Sequence, residues 1–205
     1  MMKTIWLVRH GESNAQTGNE GWADPSLSNR GRCQAKRLIP ILENVGFSHA
    51  FISPLQRARH TYELAQGKAT YECFDSRIVE CSYGRTYDEI LPYLTPNYAQ
   101  ADQQNAWNNP IAVKVKSFAE GLRKCTGKKI LLVGHWAVFS LLLQHLLGHE
   151  DLNDPYPNLT TQSLILENAA IGKIVLGHPR FGNALIQWNS CAHIEDIISP
   201  TIAES

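Results

Sequence analysis

The chain has 205 residues, of which 43% are hydrophobic, and it carries 19 basic and 19 acidic side chains. This size and this apolar fraction predict one globular domain over residues 1–205 with a substantial core. The formal net charge of zero disfavours a nucleic-acid-binding protein, because such proteins usually carry a basic excess. We therefore expect no nucleic-acid partner.

The five cysteines are odd in number and far apart, with no C-x-x-C pair and no spacing typical of a zinc site. Scattered thiols of this kind are typical of a protein in a reducing compartment. The amino-terminal apolar run is too short for a signal peptide. These features together predict a cytoplasmic protein.

One apolar stretch, residues 130–148, is long enough to suggest a membrane span. A glycine and three polar side chains interrupt it, namely Gly134, His135, Gln144 and His145. A buried strand that runs into a buried helix explains this composition better than a membrane helix does. We therefore expect no membrane partner.

In chain order, apolar runs that fit β-strands alternate with segments of helical spacing. Strands are predicted at 4–8, 49–53, 70–74, 128–135, 163–179 and 184–188. Helices are predicted at 30–46, 55–66, 88–94, 111–125 and 136–148. Pro40 argues against a straight first helix. The alternation predicts an α/β fold with a largely parallel sheet covered on both faces.

Two of the predicted strands end in a histidine: "WLVRH" ends at His10 and "LLVGH" ends at His135. Ligands bind at the carboxyl ends of strands in open α/β sheets. If these two strands are neighbours, both imidazoles lie in one crevice. A histidine that merely completes the end of a strand is the alternative for each of them.

The residues around His10 favour an anionic ligand. Arg9 offers a fork of donors suited to phosphate or carboxylate oxygens, and a neutral imidazole is a competent nucleophile toward phosphorus. Gly11 would let the backbone approach a ligand closely. Arg57 lies near the start of the helix that follows another strand, again at the binding end of the sheet. A phosphoryl group is the favoured ligand, and a carboxylate is the alternative.

Four motifs occur in a fixed order along the chain: "LVRHGES", "SPLQRA", "VECSYG" and "LLVGHWA". Together they resemble the histidine phosphatase superfamily, also called phosphoglycerate mutase-like. The segment "GWADPSLSNRGRCQAKRL" and the closing "LENAAI" and "ALIQWNSCAHI" are also similar to that family. The resemblance implies a three-layer α/β/α sandwich with a mostly parallel central sheet.

The resemblance also implies a phosphohistidine mechanism. His10 would be the nucleophile and Glu80 the proton donor. The phosphoryl oxygens would be held by Arg9, Arg57 and His135. Cationic and donor groups around the equatorial oxygens can stabilise the developing charge, so we expect no metal and no cofactor.

Further residues are expected at the edge of this pocket. Ser13 falls where family members often contact the phosphate, and Glu12 would support the histidines. Tyr83 lies just beyond the acid and would flank the substrate.

Three positions depart from the family pattern. Gln16 stands where many members have asparagine, and Trp136 stands where glycine is frequent; both are still expected to contact the phosphate, through the longer amide and through the backbone N–H. Cys81 follows Glu80 where the glycolytic mutases carry a basic residue.

The motif set favours a metal-independent phosphomonoesterase that acts on a small phosphorylated metabolite. A cofactor-dependent mutase is the first alternative, but no arginine pair near Glu80 resembles the clamp for a substrate carboxylate. A non-catalytic phospho-ligand or protein-binding member is the second alternative, and it would be expected to have lost a core residue. The sequence allows a monomer or a homodimer.

Overall fold

The structure is a computed structural model that describes residues 1–21, 24–80, 111–148 and 165–197. The helices are α1 (Asn29–Lys36), α2 (Ile39–Leu42), α3 (Gln56–Leu64), α4 (Ile111–Lys124) and α5 (Trp136–Leu147). The strands are β1 (Lys3–Arg9), β2 (Phe47–Ile52), β3 (Ala69–Phe74), β4 (Lys129–Gly134), β5 (Ile171–His178) and β6 (Gly182–Ser190). Short 3-10 helices lie at Ser76–Ile78 and Glu195–Ile197. The predicted helix at 88–94 lies outside the described residues.

The strands form one six-stranded sheet in the order β3-β2-β4-β1-β5-β6. The four strands from β3 to β1 are parallel to one another. At the other side, β5 is antiparallel to β1, and β6 is antiparallel to β5. The prediction of a mostly parallel α/β sheet is therefore confirmed, with an antiparallel pair at one edge. Because β1, β2 and β4 are parallel, their carboxyl ends meet at one edge of the sheet.

Alternation along the central strands divides the core into two layers. Ile5 and Leu7 of β1 pack with helices α4 and α5 on one face of the sheet. Val8 packs with Leu38 and with residues of α2 and α3 on the other face. Helices therefore cover both faces, as a three-layer α/β/α sandwich requires.

The apolar stretch 130–148 divides into β4 and the 12-residue helix α5, which begins directly after His135. Among the described residues, the structure contains no helix whose length and apolar character would let it cross a bilayer. Gly148 ends α5 in the left-handed conformation, with φ of 82°, where glycine is favoured.

Pro40 has the effect that its position suggests. The predicted helix at 30–46 divides into α1, which ends at Lys36, and α2, which begins at Ile39. Pro40 lies in the first turn of α2, where a missing N–H costs little because no intrahelical acceptor is available there.

The predicted strand at 163–179 is wrong in its first part, because β5 begins only at Ile171 and the described residues 165–170 are irregular. Ala169 has a positive φ of 57°, which an extended strand does not allow. Its N–H donates to the carbonyl oxygens of Arg9 and His10, each at 3.1 Å. This segment therefore closes the carboxyl end of β1 instead of extending the sheet.

Candidate active site

Strands β1 and β4 pair in parallel, with Arg9 opposite Gly134 in the register. The His10 N–H donates to the Gly134 carbonyl at 2.9 Å. His10 and His135 are the residues that directly follow these two strands, and their ring centroids lie 5.1 Å apart. Their side chains are buried, at 5% and 0% exposed. The structure therefore places the two histidines in one buried crevice, as the sequence suggested for neighbouring strands.

The two ring nitrogens of His10 have different surroundings. Nδ1 lies 2.7 Å from the Gly11 carbonyl oxygen, so Nδ1 carries the proton and donates it to that oxygen. Nε2 accepts a hydrogen bond from Arg57 Nε at 3.2 Å. The lone pair of the imidazole is therefore on Nε2, beside the guanidinium of Arg57.

Both imidazoles are neutral at physiological pH. Burial holds the pKa of His10 well below its ordinary value near 6.5, and the positive charges of Arg57 and Arg9 add to the effect. Burial likewise holds the pKa of His135 well below that value, followed in effect by Arg57. A neutral imidazole keeps a lone pair for nucleophilic attack.

Arg57 is positioned by the start of α3. The residue before this helix, Leu55, provides no side-chain cap. Asp24, from a distant part of the chain, takes that place: its Oδ1 accepts from the Gln56 N–H at 2.7 Å. Burial raises the pKa of Asp24 to about 6. No sequence pattern marks Asp24, because its contact with α3 spans 32 residues.

Arg9 is held at the carboxyl end of β1. Its Nη1 donates to the Leu166 carbonyl at 2.5 Å, in the segment that precedes β5. Its guanidinium carbon lies 6.0 Å from the centroid of the Trp136 ring, a distance at which a cation–π attraction operates. Trp136 is the first residue of α5. The structure therefore brings Arg9 and Trp136 together at the histidine crevice.

His135 has a polar partner that the sequence analysis missed. Its Nε2 lies 2.8 Å from Ser53 Oγ, and Ser53 is fully buried between β2 and α3. Ser53 Oγ also accepts a long hydrogen bond of 3.4 Å from the Leu55 N–H. Ser53 is the first residue of the "SPLQRA" motif, and this motif was the feature of the sequence that could have identified it.

Gly11 has a different role from the one that the sequence suggested. A Cβ atom at Gly11 would lie 2.4 Å from the Gly31 carbonyl oxygen, and one at Gly31 would lie 2.0 Å from the Glu12 carbonyl oxygen. The space beside Gly11 is therefore occupied by helix α1 and not by a ligand. These two glycines allow the loop after His10 to contact α1 backbone to backbone.

Glu12 does not support the histidines directly, so this expectation is wrong. Its carboxylate accepts from Ser28 Oγ at 2.6 Å and from Arg30 Nη1 at 3.3 Å. Both partners belong to the start of α1, where Ser28 is the N-cap. Glu12 therefore fixes α1 against the loop that follows His10.

Ser13 and Gln16 join an amide network behind the backbone of His10. Gln16 Oε1 accepts from the Ser13 N–H at 3.0 Å and from Ser13 Oγ at 3.2 Å. Gln16 Nε2 donates to Asn168 Oδ1 at 3.0 Å. The buried Asn168 in turn donates to the His10 carbonyl at 3.1 Å. Asn168 was missed by sequence reasoning, although it lies within the "LENAAI" motif.

Glu80 is half-buried and is the last residue described before the gap that ends at 110. The segment that leads to it crosses the carboxyl ends of two strands. The Asp75 N–H donates to the Ile52 carbonyl at 2.9 Å, and the Ile78 carbonyl oxygen lies 3.7 Å from where a Cβ on Gly134 would be. The segment that leads to Glu80 therefore runs along the same edge of the sheet as the histidines, and the role of Glu80 as proton donor stays a prediction. Tyr83 lies outside the described residues.

Within the ranges that the structure describes, no group of three or more His, Cys, Asp or Glu side chains is placed to hold a metal ion. Metal independence stays a prediction that requires a direct test. The four cysteines in these ranges are free thiols: Cys33, Cys73, Cys125 and Cys191.

The sequence profile of the histidine phosphatase superfamily (branch 1) matches residues 5–176. The match begins in β1 and ends in β5, so it includes all four motifs. The chain belongs to the histidine phosphatase superfamily. The resemblance seen in the sequence is thereby confirmed.

Individual relatives carry different names within this superfamily. An adenosylcobalamin/alpha-ribazole phosphatase of Salmonella typhimurium is 29% identical over 161 residues, which cover 70% of this chain and 79% of the relative. A protein of Shigella boydii named "Probable phosphoglycerate mutase GpmB" is 26% identical over 195 residues, which cover 84% and 85%.

Solved structures share the fold. The alpha-ribazole phosphatase from Shigella flexneri superposes with a TM-score of 0.64 at 22% identity, covering 91% of this chain and 96% of that one. A phosphoserine phosphatase mutant from Entamoeba histolytica in complex with phosphoserine gives a TM-score of 0.65 at 20% identity, covering 94% and 99%. These likenesses confirm the α/β architecture of the histidine phosphatase fold.

Proposed function

We propose that this protein is a metal-independent phosphomonoesterase that hydrolyses a small phosphorylated metabolite through a phosphohistidine on His10. The observation that carries the proposal is the state of the His10 ring. Its Nδ1–H is bonded to the Gly11 carbonyl at 2.7 Å, and its Nε2 lone pair lies beside the Arg57 guanidinium at 3.2 Å. This arrangement presents a neutral nucleophile directly to an anion that Arg57 would attract.

In the first step, the Nε2 lone pair of His10 forms a bond to phosphorus while the bond from phosphorus to the ester oxygen breaks. The guanidinium of Arg57 would turn from Nε2 to the phosphoryl oxygens as the substrate enters. The Gly11 carbonyl keeps its hydrogen bond to Nδ1–H and stabilises the positive charge that develops on the phosphorylated ring.

Glu80 would supply the protons that balance both steps. Its carboxyl group donates a proton to the departing alcohol oxygen in the first step. The resulting carboxylate then takes a proton from the water that attacks the phosphohistidine. The bond from Nε2 to phosphorus breaks, inorganic phosphate leaves, and His10 and Glu80 regain their starting states.

The charge of the transferring group would be balanced by side chains that the fold buries together. Arg9 and Arg57 are only 7% and 6% exposed, and their positive charges are felt by both histidines. Charged groups in such a water-poor site interact more strongly than in bulk water. Fixed donors around the phosphoryl oxygens stabilise the transition state by this route.

The comparisons support phosphate-ester hydrolysis and suggest candidate substrates. One relative is an alpha-ribazole phosphatase at 29% identity, and the phosphatase from Entamoeba histolytica holds phosphoserine in its complex. Another relative is named as a mutase, which makes phosphoryl transfer between substrate hydroxyls the alternative reaction.

The test is a substrate panel with the purified full chain in the presence of EDTA. We would use p-nitrophenyl phosphate, alpha-ribazole 5′-phosphate, phosphoserine, sugar phosphates and 3-phosphoglycerate, and measure released inorganic phosphate. We expect hydrolysis of at least one ester, and complete loss in His10→Ala. His178→Ala is the matched control, because His178 ends β5 at the opposite edge of the sheet.

The expected intermediate is a phosphoryl group on His10, detected by mass spectrometry after a quench without acid. Hydrolysis of no ester by a folded protein would overturn the proposal. Conversion of 3-phosphoglycerate to its isomer without net phosphate release would establish the mutase alternative. Normal activity in His10→Ala would overturn the assignment of His10 as the nucleophile. Loss of activity on adding EDTA would overturn metal independence.

A further inference from the structure

We propose that Ser53 is a positioning residue that fixes His135 in the tautomer protonated at Nδ1. The inference rests on the proposed function only for its catalytic consequence. The tautomer itself follows from the contacts of two buried side chains, Ser53 and His135, both of which are 0% exposed.

The hydrogen-bond partners of Ser53 leave one place for its hydroxyl proton. Oγ accepts from the Leu55 N–H at 3.4 Å, which uses one lone pair of the oxygen. The other described neighbour within hydrogen-bond distance is His135 Nε2, at 2.8 Å. A buried hydroxyl without an acceptor is costly, so the Ser53 hydroxyl donates to Nε2. Nε2 is then unprotonated, and the ring proton is on Nδ1.

The opposite tautomer satisfies fewer groups. If Nε2–H donated to Ser53 Oγ, the serine proton would have no acceptor among the described residues. The lone pair of His135 Nδ1 would also be unsatisfied, because this buried atom has no hydrogen-bond partner in the described part of the chain. Counted over the described residues, the tautomer protonated at Nδ1 leaves one unmet group, the Nδ1–H, where the other tautomer leaves two. Because an unmet buried polar group is costly, the tautomer protonated at Nδ1 is favoured.

The one unmet group is the donor that an anion requires. His135 lies 5.1 Å from His10 between ring centroids, in a site where Arg57 and Arg9 supply positive charge. A phosphoryl oxygen can accept from Nδ1–H, whereas it would be repelled by the lone pair of the other tautomer. Ser53 would therefore act on the phosphoryl group through His135, without contacting it.

The first experiment reads the tautomer directly in the protein without substrate. Long-range proton–nitrogen NMR on the full chain labelled with ¹⁵N-histidine distinguishes a protonated from an unprotonated ring nitrogen. The His135 signals are assigned by their absence in His135→Gln. We expect Nδ1 to be the protonated nitrogen of His135. A wild-type protein with the proton on Nε2 would overturn the proposal, whether or not the protein hydrolyses phosphate esters.

The second experiment compares variants with inorganic phosphate as the probe, using titration by NMR. We expect Ser53→Ala to raise the population of the Nε2–H form and to weaken phosphate binding by about tenfold, the loss associated with one hydrogen bond. Ser53→Thr keeps the hydroxyl and should restore the wild-type tautomer. Ser140→Ala is the matched control, because Ser140 is a fully buried serine of α5 that donates to the Trp136 carbonyl at 3.0 Å.

The outcomes separate a positioning role from a merely structural one. Urea unfolding measures the stability of each variant. Equal destabilisation of Ser53→Ala and Ser140→Ala, with a changed tautomer and weaker phosphate binding only in Ser53→Ala, supports the proposal. An unchanged His135 tautomer in Ser53→Ala would overturn it. If no phosphate ester is hydrolysed but the tautomer is as expected, the proposed function fails and the role of Ser53 stands.

Discussion

His10 shows how single contacts decide the chemistry of a residue. The Gly11 carbonyl binds one ring nitrogen at 2.7 Å and Arg57 binds the other at 3.2 Å. The first contact fixes the tautomer, and the second places a cation beside the lone pair. Because burial and these cations hold the pKa of His10 well below 6.5, the ring would not have to lose a proton before acting as the proposed nucleophile.

Replacing Arg57 by glutamine should therefore have two measurable effects. In the proposed mechanism, loss of the guanidinium removes donors to the phosphoryl oxygens, so kcat should fall by about 10²- to 10³-fold. Loss of its positive charge also raises the pKa of His10, although burial, the larger cause, keeps that pKa below 6.5. The acid limb of kcat/KM, below which His10 is protonated and inactive, should move to higher pH. A pH series of initial rates measures both effects.

Arg59→Gln is the matched control for this prediction. Arg59 lies two residues further along α3 and is not among the charges that lower the pKa of His10. We expect its kcat and acid limb to match those of the wild type. An unchanged kcat in Arg57→Gln, or an acid limb that moves equally in both variants, would contradict the role assigned to Arg57.

The sequence could locate those site residues whose position follows from the local pattern of apolar and polar residues. His10 and His135 end apolar strands, so their place at the sheet edge was predictable. Ser53 and Asn168 act through contacts with His135 and His10 that span 82 and 158 residues. No periodicity records which hydroxyl or amide will face a given histidine, so these partners required the fold.

At the scale of elements, helix α1 supports the loop that carries His10. Gly31, in the first turn of α1, would place a Cβ atom 2.0 Å from the Glu12 carbonyl oxygen, a distance that no real contact allows. Gly31→Ala should therefore push the helix and the loop apart. We expect a loss of about 1–3 kcal/mol in the free energy of unfolding, as for an overpacked core, and a lower kcat because Glu12 is two residues from His10.

Gly121→Ala is the control for this effect. Gly121 also lies within a helix, α4, but among the described residues its Cβ would meet the Arg77 guanidinium, at 3.6 Å from Nη1 and 3.9 Å from Nη2, which are ordinary contacts. This variant should gain about 0.5–1 kcal/mol, because alanine favours a helix interior over glycine. Urea denaturation and the rate of phosphate release measure both variants. Equal stability of Gly31→Ala and the wild type would contradict the close contact between α1 and the loop.

Most helices and strands were predictable from the sequence, and the errors in their prediction have physical causes. The apolar residues of 163–179 suggested a strand throughout. The segment before Ile171 instead makes hydrogen bonds to the end of β1 and does not pair as a strand of the sheet. The sheet order was not predictable either. Nothing in the spacing showed that β4 lies between β1 and β2, which is the arrangement that brings the two histidines together.

For the whole molecule, a site built from buried neutral imidazoles makes stability depend on pH. The pKa values of His10 and His135 in the folded protein lie well below 6.5, whereas in the unfolded chain they return to about 6.5. As the pH falls below 6.5, the unfolded state binds protons that the folded state does not. Linkage then requires the free energy of unfolding to decrease.

Asp24 contributes with the opposite sign. Its pKa rises from an ordinary 3.8 to about 6 in the folded protein, so between these values the folded state binds the additional proton. Lowering the pH through this window stabilises the folded state relative to the unfolded one, by about 3 kcal/mol in all. The charged groups that act on Asp24 are Arg57 and Arg59 of α3 and Glu20 of the preceding loop.

Two variants should therefore change the pH dependence of the free energy of unfolding in opposite directions. Below pH 6.5, the free energy of unfolding of His10→Asn should fall less steeply than that of the wild type, by about 1.4 kcal/mol per pH unit, because one proton fewer is taken up. Below pH 6, Asp24→Asn should fall more steeply than the wild type, because the opposing carboxyl is gone. Urea denaturation followed by tryptophan fluorescence from about pH 7.5 to about pH 5 measures these slopes.

The opposite signs make the two variants controls for each other. A pH effect on the denaturant, on the fluorescence or on the unfolded chain would shift both curves in the same direction. Parallel curves for His10→Asn and the wild type would contradict a neutral, buried His10, and with it the ready nucleophile. Parallel curves for Asp24→Asn and the wild type would show that the carboxyl at the start of α3 is ionised at pH 6 in the folded protein, at no cost in stability.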